Sequence, residues 1–325
     1  MRKGDFVEYI ARRARHDNLI AFVCRLIRFA VVAIFSVGYR AKYSNVEHPS
    51  IIKVVGIKMK LPESNNGILR DLLLNGCREP YVSRAYTNLI NEGDVVFELG
   101  ANIGYYALQA ANLVGKTGLV YAIEPVPQNV QALRENIELN GFSNIEVYEI
   151  AIGERDEKSK IMISEKGNLC TMESVNAHRT FISSTEIETM SLDSFVKGRR
   201  VPDFLRMDVE GYEYNIIKGM PELLRLGHPR RMFIEVHFDI LREKAMEMLK
   251  TLKESGYEII VATVEPHPAV QNSPLGIRAT TLLDKFIGVG QGYINVSIDD
   301  ILSNPIFERG QVEWMEIIFE RKNNG

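Results

Sequence analysis

The chain has 325 residues, 46% of them hydrophobic and 25% charged, with a formal net charge of −3. That balance supports one large or two modest globular domains and excludes a mainly disordered chain. No basic tract with interleaved aromatics runs through the main body, so no nucleic-acid partner is expected. The cysteines, Cys24, Cys77 and Cys170, are widely spaced and form no C-x-x-C pair, which argues against a disulfide framework or zinc knuckle and fits a reducing, cytoplasmic location.

Residues 1–45 form a basic arm in which Arg12, Arg13, Arg15, Arg25, Arg28, Arg40 and Lys42 flank or interrupt the apolar stretch 19–37. No small-residue cleavage site follows that stretch, so it does not read as a signal peptide. A spanning helix would place Arg25 and Arg28 in hydrocarbon at a cost of about 2.5–3.5 kcal/mol each near the centre. The arm therefore reads as an amphipathic helix that lies down. Its seat is either an anionic bilayer, at the inner face of the membrane, or a protein surface. In the second case Phe22, Leu26, Phe29 and Ile34 pack on the rest of the chain or on a second subunit.

Residues 46–92 form a preface that covers the cofactor side, with short strands around Gly56 over 51–61 and helical segments over 68–90. The apolar run Val95-Val96-Phe97-Glu98-Leu99 then predicts a strand that breaks into Gly100-Ala101-Asn102-Ile103-Gly104 and opens a helix over 105–114. Gly100 and Gly104 allow a sharp turn and close backbone approach to a ligand, while the helix start aims unpaired N–H groups at it. A second strand over 119–124 ends in Glu124, about twenty residues after the loop, where ribose hydroxyls meet a carboxylate.

A helix follows over 127–140, with Asn136 and Asn140 organising its end before Gly141. Strands are predicted over 145–150, 160–164 and 204–209, then a helix over 214–226, a strand over 232–237, a helix over 240–255 and a strand over 257–264. Residues 265–305 contain Pro266, Pro268, Pro274 and Pro305 together with several glycines, and read as a loop-rich substrate lid. The stretch 312–320 alternates as a closing strand. Alternating strands and helices predict an α/β fold with a parallel sheet covered on both faces.

The loop carries Asn102 where a dinucleotide fingerprint needs its second glycine, which disfavours pyrophosphate. S-adenosylmethionine has no phosphate; Glu98, Asn102 and Glu124 suit its ammonium, carboxylate and ribose. In parallel sheets, ligands lie beyond the carboxyl ends of the strands. Asp208 and Glu210 end one strand there, and Glu235 and His237 end the next. Two-residue spacing puts each pair on one side of an extended chain, so four titratable groups converge beside the cofactor.

Asp208 reads as a contact to cofactor or acceptor, or as a turn-forming carboxylate before Gly211. Glu210 orients acceptor or base, or caps the next helix. Glu235 and His237 are the candidates for proton chemistry, with His237 as general base. The same side chains are also ligand types for a divalent metal; the base reading is placed ahead of it and no metal ligand is assigned. His178, His228 and His267 stand in no ligand or nucleophile pattern, and neither a G-x-S-x-G elbow nor a Walker loop is present.

Over residues 73–260 the chain resembles the FkbM-type class I S-adenosylmethionine-dependent methyltransferases. The resemblance rests on Asn75-Gly76-Cys77-Arg78-Glu79-Pro80, the 98–106 block, Ala122-Ile123-Glu124-Pro125, Ala151-Ile152-Gly153, Met190-Ser191-Leu192-Asp193 and, above all, Leu205-Arg206-Met207-Asp208-Val209-Glu210-Gly211-Tyr212-Glu213. Glu98 stands where the family more often has Asp, and Arg206-Met207 replaces a commoner Lys-Ile.

The resemblance implies a Rossmann-like class I methyltransferase sheet over 93–325, parallel with one antiparallel strand, behind the N-terminal helical arm. It implies cofactor contacts from Glu98, Gly100, Asn102, Gly104, Tyr105, Glu124, Pro125, Ala151 and Asp208, and O-methylation of a hydroxyl on a small molecule, saccharide or lipid-linked glycan. Two rival readings are a nicotinamide-dependent oxidoreductase, weakened by Asn102, and a non-catalytic peripheral membrane or assembly protein of methyltransferase-like fold.

Overall fold

The computed structural model describes residues 51–60, 72, 77–164, 181–263 and 296–322. The basic arm, most of 61–76 and residues 264–295 of the expected lid lie outside the described residues. No helix among the described residues is long and apolar enough to cross a membrane.

The described chain opens with a hairpin, β1 (Ile51–Val54) and β2 (Ile57–Lys60), followed by helix α1 (Pro80–Leu89). Then come β3 (Val95–Leu99), α2 (Tyr105–Val114), β4 (Leu119–Ile123), α3 (Pro127–Asn140) and β5 (Ile145–Tyr148). Strands β6 (Ala151–Gly153), β7 (Glu157–Ser164) and β8 (Phe181–Ser191) and helix α4 (Leu192–Phe195) lead to β9 (Phe204–Met207). Helices α5 (Glu213–Lys218) and α6 (Pro221–Leu226) precede β10 (Arg231–His237). The remainder is α7 (Phe238–Leu241), α8 (Glu243–Glu254), β11 (Tyr257–Thr263), α9 (Ile298–Leu302), α10 (Pro305–Glu308) and β12 (Trp314–Arg321).

Seven strands form the central sheet in the order β5-β4-β3-β9-β10-β12-β11. Strands β3, β4, β5, β9 and β10 run parallel, and β12 inserts antiparallel between β10 and β11. This is the expected class I methyltransferase arrangement, with the last strand between its two predecessors. Strand order reverses between β3 and β9, and the crevice at such a reversal is where α/β sheets bind ligands.

Alternation along the strands sorts side chains into two buried layers. Val95, Phe97 and Leu99 of β3, Leu205 and Met207 of β9, and Met232, Ile234 and Val236 of β10 join one core with α8. Val96, Phe204, Phe233 and Ile318 join the other core, beneath α1, α2 and the hairpin. Period two fixes what else faces the second layer. Glu98, Arg206, Glu235 and Glu316 point the same way from β3, β9, β10 and β12, and all except Glu235 are buried to 3% exposure or less.

Several expected elements differ. The strands read at 145–150 and 160–164 do not both extend the main sheet, because β6, β8 and β7 form a separate three-stranded sheet in that order. Its long strand β8 has a polar sequence, Phe181-Ile182-Ser183-Ser184-Thr185-Glu186-Ile187-Glu188-Thr189-Met190-Ser191; a small apolar cluster of Val126, Ala151, Ile161 and Ile187 lies beneath, while Ile152 and Met190 pack on the main core. The helix expected over 214–226 breaks around Gly219, with Pro221 starting α6. The helix expected over 240–255 breaks at Arg242, whose φ is 51°. The described end of the expected lid stretch is helical and packed. Helix α9 carries a Ser297–Asp300 capping box and buries Ile298 and Ile301 in the main core.

Asn136 and Asn140 do more than end helix α3. The Asn136 amide accepts from Lys60 N–H at 2.7 Å and donates to the carbonyls of Lys60 and Ile103 at 3.1 and 2.9 Å. Asn140 accepts from Lys58 N–H at 2.8 Å and donates to its carbonyl at 2.7 Å. Four helical residues rise about 6 Å and two strand residues about 6.6 Å, so the two amides match alternate residues of β2. Asn136 is fully buried. Asn136→Ala is expected to lower unfolding free energy by about 1–3 kcal/mol through the buried groups left unpaired, read from urea denaturation, with a smaller loss for the partly exposed Asn140→Ala.

Candidate active site

The glycine loop is held from both sides. The Gly100 and Ala101 N–H groups donate to the Ile123 carbonyl at 3.0 and 3.1 Å, and the Asp208 N–H donates to the Leu99 carbonyl at 3.2 Å. At Gly100 φ is 79°, and a Cβ there would lie 2.2 Å from the Asp208 carbonyl oxygen. Only glycine lets β3 end this close to the end of β9. Asn102 takes φ of 50°, a left-handed geometry that asparagine tolerates, and its side chain accepts from Ile103 N–H at 2.8 Å.

Around this loop lies a cleft of about 900 Å³, open mouth included, lined by Glu98, Gly100, Asn102, Tyr105, Glu124, Pro125, Ala151 and Asp208 among others. Gly104 is the one expected cofactor residue that does not line it. Its φ of 99° makes it the left-handed cap of α2, packed where a Cβ would meet Leu133 at 2.6 Å. Glu124 accepts from Asn102 N–H at 2.8 Å, Val126 N–H at 3.0 Å and Asn129 at 3.1 Å. Burial raises its pKa, and these bonds oppose the rise.

Beneath the cleft the second layer becomes polar. Glu98 and Arg206 are cross-strand partners on β3 and β9; Arg206 Nη1 donates to Glu98 Oε1 at 2.6 Å and Nη2 to Asp208 Oδ2 at 3.3 Å. The Arg206 guanidinium carbon also lies 3.8 Å from the centre of the Tyr106 ring. Burial pushes Glu98 up to about 7 against the opposing pull of Arg206. Burial would raise Asp208 too, but the charges of Arg206, Arg78 and His237 outweigh it and hold the carboxyl below its usual range.

Asp208, Glu235 and His237 come together, with ligand-type atoms all within 4.8 Å of one another. His237 Nδ1 lies 2.8 Å from Glu213 Oε1, while Nε2 faces Glu210 Oε2 at 3.5 Å and Glu235 Oε1 at 3.7 Å. Burial would lower the His237 pKa, but Glu213 first, then Glu210 and Glu235, carry it well above the ordinary histidine value. Burial and the charge of Asp208 raise Glu235 well above the carboxylate range. The expected general base thus sits among three carboxylates that favour its protonated form.

Glu210 also departs from expectation. Strand β9 ends at Met207, and Glu210 has φ of 54° in the following turn, so extended-chain spacing does not govern the Asp208–Glu210 pair. It does not cap α5 either; that N-cap is Tyr212, without a side-chain bond. Sequence reasoning missed Arg78, Glu79, Glu213 and Glu316. Tyr106 OH and Arg78 both bond Glu79; Arg78 Nη2 is 3.8 Å from Asp208 Oδ2. For Arg206 and Glu316 the signal was available: Arg206 is the one charge in its strand, and Glu316 stands between Met315 and Ile317-Ile318-Phe319.

Arg206→Ala is expected to cost about 3–5 kcal/mol, because it strands the buried Glu98, and adding Glu98→Gln should restore part of that in urea denaturation. Glu98 takes its folded pKa from 4.5 to about 7, so the unfolded chain releases this proton first. The contribution of Glu98 to stability is therefore fullest below pH 4.5 and is lost as pH rises to about 7. Glu98→Gln should remove that segment of the stability–pH curve.

Residues 98–259, about half of the chain, match the family described as the methyltransferase FkbM domain. An uncharacterized protein of Methanocaldococcus jannaschii, MJ1452, is 34% identical over 111 residues, which span 34% of this chain and 40% of that protein. A protein-L-isoaspartate O-methyltransferase of Methanococcoides burtonii is 41% identical over 58 residues, or 18% of this chain and 29% of that protein. The chain thus matches less than half the length of either relative. Among solved structures, Aeropyrum pernix fibrillarin with bound S-adenosyl-L-methionine is 16% identical with a TM-score of 0.38, covering 70% of this chain and 82% of that one. A putative rRNA-methylase from Clostridium thermocellum is 11% identical with a TM-score of 0.41, covering 75% and 97%; likeness at these scores says nothing of cofactor or substrate. On its matched domain, with the glycine loop and the antiparallel closing strand in place, the chain belongs to the FkbM-type S-adenosylmethionine-dependent methyltransferases.

Proposed function

We propose that this chain methylates a hydroxyl group of a small molecule, a saccharide or a lipid-linked glycan. The observation that carries the reading is the position of Asp208, which lines the cleft behind the glycine loop and also belongs to the Glu235–His237 cluster. Methyl donor and acceptor would therefore meet at one carboxylate.

The donor set of the cleft fits S-adenosylmethionine. Glu124 suits the ribose hydroxyls, and Glu98 and Asn102 suit the amino-acid end; the bound cofactor supplies a methyl group made electrophilic by its sulfonium. The chain's own task is to hold the acceptor in line and relieve it of a proton. Asp208, kept ionised by Arg206 and Arg78, and Glu210 beside it line the cleft where an acceptor hydroxyl would donate. The oxygen–methyl bond forms as the sulfur–methyl bond breaks, S-adenosylhomocysteine leaves, and the hydroxyl proton passes to a carboxylate.

The relatives named protein-L-isoaspartate O-methyltransferase raise a rival acceptor, a carboxylate on protein. A rim rich in carboxylates repels an acidic acceptor, and it repels phosphate for the same reason. Neutral hydroxyls donate to it without penalty.

Calorimetry should detect S-adenosylmethionine and S-adenosylhomocysteine and no binding of NAD. Glu124→Ala should weaken the first two by about 1.5–3 kcal/mol, the worth of a hydrogen bond to a charged group. With methyl-labelled cofactor and an extract of the host, the label should enter a product stable to mild alkali, as an ether is. A protein-bound label released as methanol would overturn the hydroxyl reading, and NAD binding in place of the cofactor would overturn the methyltransferase reading.

A further inference from the structure

We propose that Asp208, Glu235 and His237 form a binding site for a divalent cation of the Mn²⁺ type, placed between the methyl-donor cleft and the acceptor. This deepens the hydroxyl-methyltransferase reading and rests on it for the chemical use of the ion; the binding itself does not depend on it. The sequence reading placed a general base ahead of a metal, and the geometry points the other way.

The first ground is the imidazole's setting. Glu213 is fully buried, and its Oε1 takes the Nδ1 side of His237 at 2.8 Å and the Gly211 N–H at 3.1 Å. A carboxylate that fixes one ring nitrogen so that the other faces further carboxylates is the arrangement that orients metal-bound histidines. Glu213 Oε2 is buried with no hydrogen-bond partner, so this carboxylate is directed at the ring and the turn before α5 rather than at solvent.

Spacing is the second ground. His237 Nε2 lies 3.5 and 3.7 Å from carboxylate oxygens of Glu210 and Glu235, long for charge-assisted hydrogen bonds, which close to about 2.7–2.9 Å. Ligand atoms about 2.1 Å from a common ion stand about 3–3.5 Å apart. Both arginines approach Asp208 through Oδ2, and the carboxylate has a second oxygen to give. Glu235 also stands within 4.8 Å of Glu79 and Glu316, which brings further carboxylates to the site.

Two carboxylates and one imidazole favour an ion that accepts both oxygen and nitrogen and keeps open positions, which suits Mn²⁺ better than Mg²⁺. With Asp208 lining the cleft, an open position would face the acceptor. A hydroxyl bound there loses its proton more readily and is aimed at the methyl group. The proton would leave to a neighbouring carboxylate such as Glu210, and no oxidant or reductant enters.

The test is Mn²⁺ binding to the purified full chain, followed by electron paramagnetic resonance without cofactor. About one ion per chain is expected. Asp208→Asn, Glu235→Gln and His237→Gln should each weaken binding tenfold or more, with Glu213→Gln weakening it about 10–100-fold as an orienting residue; the exposed Glu247→Gln should not. Near-ultraviolet circular dichroism identifies any variant that fails to fold, and the remaining substitutions then carry the comparison. No stoichiometric Mn²⁺ binding, or binding unchanged across the folded variants, would overturn the site. Loss of S-adenosylmethionine binding in the unaltered chain would instead overturn the proposed function and leave the metal result standing.

Discussion

A guanidinium buried in the middle of a sheet is the constraint on which the rest of this molecule depends. Arg206 has 2% exposure and sits opposite Glu98 in the β3–β9 register. An uncompensated charge at that depth is not tolerated, so the sheet must bring an acid to the same row. Tyr106 supplies the aromatic face that covers the guanidinium, and Asp208 receives its other arm. These partners come from β3, α2 and the end of β9, three of the elements that bound the cleft. Packing and function thus share one set of atoms: the ion pair that makes the buried row tolerable also fixes the carboxylate at the meeting point of donor and acceptor.

The same reasoning explains what the amino-acid sequence disclosed and what it hid. Apolar runs such as Val95–Leu99 and Leu119–Ile123 announced the central strands, because both their faces are buried and their signal is continuous. The glycine loop was equally legible, since its conformation demands particular residue types. Strand β8 was not, because a sheet that buries little apolar surface needs no apolar pattern. The breaks at Gly219 and Arg242 were hidden too, for helical periodicity on either side of a break of one or two residues looks unbroken.

The candidate site was legible in outline only. Strand-end spacing located Asp208, Glu235 and His237, but spacing cannot say what stands across from a side chain. Glu213 lies 24 residues before His237 in sequence and on a different element, and it is this distant carboxylate that does most to raise the pKa of the ring. Arg78 and Glu79 arrive from the preface, ahead of the first central strand. Charge state is a property of the assembled layer, and strand-end spacing alone does not carry it.

The two asparagines of α3 bear on a different matter, the molecule's behaviour in a crowd. Strand β2 has a single strand partner, β1, and a two-stranded ribbon ordinarily leaves backbone donors and acceptors open along its outer side, ready to recruit a strand from another molecule. Here Asn140 and Asn136 engage both the N–H and the carbonyl of Lys58 and Lys60. The outer side of β2 is thereby closed to ladder growth, with side-chain amides in place of a neighbouring strand. On that side of the hairpin, a pair of helix-borne amides stands where the strand of another molecule would otherwise pair.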